Sequence, residues 1–189
     1  MRFARLSFLL TAFLASTALL GACGDDPLFP DVMISVDTVT VTVPGSTAPS
    51  AIDLVRTQPP FALLRNPELI RDAGEWDITL RRGASGGLVF LPFDQPGSPL
   101  RGAGLTRATR GFDDLAEAPR SVGAYGEAPL PVTADAVFLL RSRQYPQSGT
   151  LCVNYAKAKV LAVDEAAGTA EVAIVVNDNC DDERLEDDD

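Results

Sequence analysis

The chain carries three cysteines and no histidine, and that pair of counts frames the chemistry open to it. Serine–histidine and cysteine–histidine nucleophiles, histidine zinc sites and histidine haem ligation all need an imidazole, so none can be built here. No P-loop or complete G-x-G-x-x-G occurs, and Gly102-Ala103-Gly104 is too short to cradle a phosphate. Carboxylates need no imidazole, and two of them suffice for a glycosidase. Asp113 and Asp114 stand side by side, but neighbours at i and i+1 do not face each other on a helix. They read better as favourable charge at the start of a short helix.

Arginine is the second chemical bias. Lysine occurs only as Lys157 and Lys159, whereas Arg101, Arg107, Arg110 and Arg120 flank the central loops. Guanidinium groups clamp ligand carboxylates in a bidentate fork. The bland alternative is a compositional bias with solvated side chains. Tyrosine is the remaining residue type that ligates haem iron. Tyr125 and Tyr145, with Arg110, are therefore the candidate ligand-binding residues, although tyrosines at strand edges commonly just pack.

The first cysteine gives an address. Arg2 and Arg5 precede an apolar run, Leu6 to Ala22, too short for the ~20 residues of a bilayer span. A positive start, a short apolar stretch and small residues before a cut mark a secretory signal peptide over residues 1–22. Leu20-Gly21-Ala22-Cys23 resembles a bacterial lipobox. That resemblance implies cleavage before Cys23 and lipidation of Cys23, with the membrane as partner through the lipid anchor. More than one acyl chain makes such an anchor stable. Gly24, where an aspartate would imply the inner membrane, implies the outer membrane. Loss of residues 1–22 removes two arginines and leaves a net charge of about −12. So acidic a chain repels phosphate backbones, and nucleic acid is not an expected partner. Residues 179–189 read as an acidic, disordered tail, because eight acids and one arginine crowd the last thirteen positions. A calcium site is the sharper alternative, but the run lacks the spacing and glycine of an EF-hand loop.

Cys152 and Cys180 bracket a hairpin. Ala156, Ala158, Val160 and Ala162 share one face of the first arm; Ala170, Val172, Ile174 and Val176 share one face of the second. Period-2 alternation of this kind marks half-buried strands. Folding the arms so that Val163 faces Thr169 places Val160 opposite Val172, Ala158 opposite Ile174 and Cys152 opposite Cys180. An exported chain has left the reducing cytosol, so a Cys152–Cys180 disulfide is expected. A redox pair would show C-x-x-C, and zinc would need more ligands.

Short strands and turns fill the rest. Residues 23–31 form a tether with Pro27 and Pro30, and residues 32–178 the domain. In Val32–Val43 the apolar parity switches near Asp37, which suggests a bulge or two short strands. Ala51–Thr57 is a strand. Asn66-Pro67-Glu68 opens a short helix that Gly74 closes. Trp76, Ile78 and Leu80 point inward, with Asp77, Thr79 and Arg81 outward. Leu88–Phe93 and Ala136–Tyr145 are further strands, and Phe112–Ala118 one helical turn. No repeat and no long amphipathic helix is present. The fold class is all-β or β-rich: one domain of antiparallel sheets with short helical turns.

The succession WDITLRR (76–82), FDDLAEAP (112–119), AVFLLRSR (136–143) and YAKAKVLAVDEAAGTAEVAIVV (155–176) resembles the HmuY-like lipoproteins. The resemblance spans about residues 76–176. It implies an exported, β-rich, lipid-anchored protein, some of whose relatives capture haem at the cell surface. Their haem grip uses paired histidines or methionines. This chain has no histidine, and Met33 would be its only methionine after processing, so no ligand residue carries over. The expected function is a non-enzymatic binding module of the cell envelope, with haem or another tetrapyrrole as the named ligand. The alternatives are a structural or protein-interaction lipoprotein, with an open sheet edge, and a carboxylate hydrolase of envelope sugars, with two acids across a cleft.

Overall fold

The computed structural model describes residues 34–45, 47–56, 63–69, 72–94 and 100–186. Cys23, the expected signal segment and the expected tether lie outside them. Residues 32–189 form one compact unit. In chain order the strands are β1 (Ile34–Thr42), β2 (Ala51–Ile52), β3 (Leu64–Arg65), β4 (Ile78–Arg82), β5 (Leu88–Pro92) and β6 (Gly104–Arg107). After them come β7 (Leu130–Pro131), β8 (Val137–Arg141), β9 (Tyr145–Gln147), β10 (Thr150–Cys152), β11 (Tyr155–Asp164) and β12 (Thr169–Asn177). Single 3-10 turns occupy Phe112–Asp114 and Val122–Ala124.

Two five-stranded sheets result, with orders β1-β12-β11-β8-β6 and β3-β2-β4-β5-β7, and every pairing is antiparallel. β9 and β10 make a separate ribbon through Ser148 and Gly149, both at positive φ, as a two-residue hairpin turn requires. The expected all-β domain of antiparallel sheets is what forms.

The sheets pack face to face because each turns one parity of apolar side chains inward. Val41, Phe138, Leu140, Ala158, Val160, Val172 and Ile174 come from the first sheet; Ile52, Ile78, Leu80, Leu88 and Phe90 come from the second. Phe90 and Phe138 meet edge to face, with centroids 5.5 Å apart, a geometry worth about 0.5–1.5 kcal/mol beyond burial. The outer face of the first sheet is also covered. Leu139 and Tyr155, of the opposite parity, pack there with Leu115, Ala118, Tyr125, Val153 and Leu185. Two buried faces make β8 a run buried from Phe138 to Arg141 rather than an alternating one.

Four expectations need correction. The acidic segment is docked through Glu186 rather than disordered from 179: Leu185 is buried, Arg120 pairs with Glu183 at 2.8 Å and Lys157 with Glu186 at 3.3 Å. One apolar side chain and two cations anchor a run whose composition alone reads as solvated. β1 is a single strand paired without a break from Ile34 opposite Asn177 to Thr42 opposite Thr169. Its parity switch reflects two destinations: Val41 enters the core, while Ile34 and Val36 lie beside Leu185 on the outer face. The hairpin register holds at Val160–Val172 and Ala158–Ile174, but a bulge at Leu161 sets Val163 opposite Ala170. The bulge turns Val163 toward the core and leaves Ala162 exposed. Asp77 and Thr79, expected outward, are fully buried.

The remaining differences are of extent. β2 ends at Ile52, and Thr57 lies outside the described residues. At 66–69 the chain turns instead of starting a helix, with the Asn66 side chain accepting the Glu68 N–H at 3.2 Å. Gly74, at φ +80°, ends that excursion.

Candidate functional site

β6 leaves the first sheet at Arg107, opposite Phe138, and the Ala108 N–H extends the ladder by one bond to Val137 O at 2.9 Å. The chain then turns through Arg110 into the loop that carries Phe112–Asp114. Between this turn and the loop lies an open cleft of about 450 Å³, within the range of small-ligand sites. Leu115, Ala118, Ala124 and Leu139 supply its apolar surface, and Arg107, Arg110 and Glu117 its charges. Arg107 rests 5.7 Å from the Phe138 ring and reaches Thr133 Oγ1 at 3.4 Å. Neither Arg107 nor Arg110 forms an ion pair among the described residues. Glu117 is the one acid lining this cleft among the described residues.

The tyrosines go elsewhere. Tyr125 is buried in the outer-face cluster, 6.2 Å from the Tyr155 ring and 5.9 Å from the Arg141 guanidinium, and its hydroxyl has no partner among the described residues. Tyr145 packs with Val55 and Cys152 and donates to Asn154 Oδ1 at 2.7 Å. Burial raises the pKa of both phenols, that of Tyr145 to about 12. Iron ligation needs the phenolate, which burial disfavours. Thus Tyr125, Tyr145 and Arg110 do not converge; Arg110 alone of the three lines the cleft. The arginine bias marked this place in the sequence, whereas the tyrosines did not.

The Cys152–Cys180 disulfide is formed, with Cα atoms 5.0 Å apart, as the hairpin register implied. Of the adjacent acids, Asp113 and Asp114 both lie in the first turn of a 3-10 segment, consistent with a charge preference there.

A second cleft, of about 390 Å³, lies between Ile34, Val36, Phe112, Val175 and Leu185. Its cation, Lys157, is committed. The ammonium donates to Leu115 O at 3.0 Å and to Glu186 Oε1 at 3.3 Å, and sits 5.1 Å from the Phe112 ring.

The densest charge cluster was invisible in the sequence. Asp53 and Asp77 are both fully buried. Asp53 accepts from Arg65 Nε at 3.0 Å, from an Arg143 terminal nitrogen at 3.1 Å and from the Val55 N–H at 3.1 Å. Asp77 accepts the N–H groups of Leu54 and Arg143, each at 2.7 Å. Burial raises the Asp77 carboxyl to about 6, against the pull of Arg143. Two neighbouring carboxylates are what a glycosidase needs, yet these face no solvent and their lone pairs are taken. They tie β2 and β4 of the second sheet to the segment after β8 of the first. No family model, curated protein or solved structure matches this chain.

Proposed function

We propose that this chain is an exported, lipid-anchored binding module of the bacterial envelope, without catalytic activity, and that the arginine cleft is its ligand site. One observation carries the reading: an apolar surface edged by two arginines that have no carboxylate partner among the described residues. That combination suits a ligand with an apolar body and an anionic group. The lipobox at Cys23 and the resemblance to HmuY-like lipoproteins support export and anchoring. A tetrapyrrole would be held here by its body and its carboxylates. Its iron would find no histidine, methionine or tyrosine among the lining residues, so the site does not fit iron ligation of the family's kind.

Haemin is the first probe, because it offers a flat apolar body and two carboxylates. Titrating residues 24–189 should saturate at one haemin per protein, and Arg107→Gln with Arg110→Gln should weaken binding about tenfold or more. Unaltered binding by the double variant, or no binding of either haemin or a long-chain carboxylate, would remove the cleft as the site.

A second reading has its own observation. β1 is an edge strand, and Val36, Asp37, Thr38 and Thr40 are exposed along it, Val36 to 71 %. An open, β-branched edge can accept a strand from another envelope protein. On that reading Val36→Lys abolishes partner capture and leaves haemin binding unchanged.

A further inference from the structure

The segment after β12 is a strap across the outside of the first sheet, and its two ends are held by different means. At one end Cys180 is bonded to Cys152, and Asp181 exchanges hydrogen bonds with Val153, at 2.9 and 3.1 Å. At the other end Leu185 is buried to 1 % exposure. Between them the strap grips the loop that walls the arginine cleft. The Ala118 N–H donates to Glu183 O at 2.8 Å and the Leu185 N–H to Ala116 O at 2.7 Å, with Glu117 opposite Arg184. Glu117 and Ala118 line the cleft itself.

We infer that the Cys152–Cys180 bond is a redox latch on this strap, and that the cleft becomes competent to hold its ligand only after the bond has formed. The inference rests on the cleft being the ligand site. The β11–β12 ladder ends at Tyr155–Asn177, inside both cysteines, so the hairpin keeps its own pairing when the bond opens and the strap is freed. The strap has contacts of its own, through Leu185, the Lys157–Glu186 pair and the two backbone bonds to the loop, but its Arg120–Glu183 pair is largely solvated on the arginine side, where such pairs contribute little. The bond restricts where Asp181 can lie and so raises the local concentration of the strap at the loop. Reduction by a dithiol is balanced: the Cys152–Cys180 bond takes up two electrons and two protons to give two thiols, and the dithiol closes to its own disulfide. Attack falls on Cys180, the more exposed residue of the pair; Cys152 is 1 % exposed.

The test compares the oxidised protein, the dithiol-reduced protein and a Cys152→Ser/Cys180→Ser variant. Amide exchange at Ala118 and Leu185 should quicken about tenfold or more in the second and third, while Val172 and Ile174 stay protected. Haemin affinity should fall about tenfold or more in parallel. Equal exchange at Ala118 and Leu185 in all three forms overturns the latch. So does loss of protection at Val172, which would make the bond a staple of the whole fold, and so does equal haemin affinity in oxidised and reduced protein. If the oxidised protein takes up no haemin, the ligand reading fails for that probe, and the exchange rates alone decide the strap.

Discussion

Replacing Arg143 with methionine should expose how the two sheets are joined. The guanidinium is almost wholly buried and lies 3.1 Å from Asp53 and 3.2 Å from Asp77. Asp53 keeps Arg65, at 2.9 Å, when Arg143 is lost. Asp77 keeps only two backbone donors and no cation. Breaking a buried pair from one side typically costs about 3–5 kcal/mol, because the stranded charge cannot return to water. Methionine preserves most of the volume, so the loss reports charge rather than a cavity. The pH dependence carries the sharper signature. The folded-state pKa of Asp77, about 6, stands above the ordinary 3.8, so between those values the folded protein binds more protons than the unfolded chain. Stability from this group therefore falls as pH rises through that window, by about 3 kcal/mol in all. Without Arg143 the carboxyl moves further up, and the window widens toward neutral pH. Urea unfolding at pH 7.5 and pH 5 should show the variant losing about 3–5 kcal/mol at the higher pH and distinctly less at the lower. A loss below about 1 kcal/mol at pH 7.5, or one that grows on acidification, refutes the assignment of Arg143 as the counter-ion of Asp77.

Other perturbations separate the layers of the fold. Phe138→Ala empties the centre of the sandwich and removes the edge-to-face contact with Phe90, and should cost about 3–5 kcal/mol by chemical denaturation. Leu185→Ala should cost about 2–5 kcal/mol, whereas Leu161→Ala, at the exposed bulge, should stay within about 0.5 kcal/mol; equal effects would mean that the strap does not pack. Gly168→Ala should lower the melting temperature by several degrees, about 1 kcal/mol or more. Gly168 sits at φ +70°, and an added Cβ would come within 2.7 Å of Val43 Cγ2.

What could be read in advance follows from how each contact is encoded. The β11–β12 hairpin was legible because one face of each arm is apolar, so a single register satisfies the core. The bulge at Leu161 was not, since alternation continues smoothly through Ala162 and only the turn geometry displaces it. Asp77 looked like a solvent-facing position in an alternating strand. Its burial depends on Arg143, 66 residues further along, and pairing over that distance leaves no local pattern. The docked strap hid behind its own charge, because Leu185 is one apolar side chain among acids. Arg110 stands out by its residue type, but the wall of its cleft is held by a strap whose acidic composition hides its docking. Tyr125 and Tyr145 carry phenols of the kind that ligate iron, but both are buried in separate clusters and neither lines the cleft.

The position of β1 also governs when the sandwich can assemble. Among the described residues the first strand of the first sheet pairs with the last strand alone, so Ile34 must wait for Asn177 before its ladder can close. Contacts this distant in sequence make folding slow, because the whole intervening chain must be gathered first. During synthesis VDTVTVT therefore emerges as an unpaired, β-branched segment with one charge. Such a stretch invites pairing with another copy until its own partner arrives. Closure of the first sheet is thus a late step of assembly, and β1 stays open to other strands until β12 has been made.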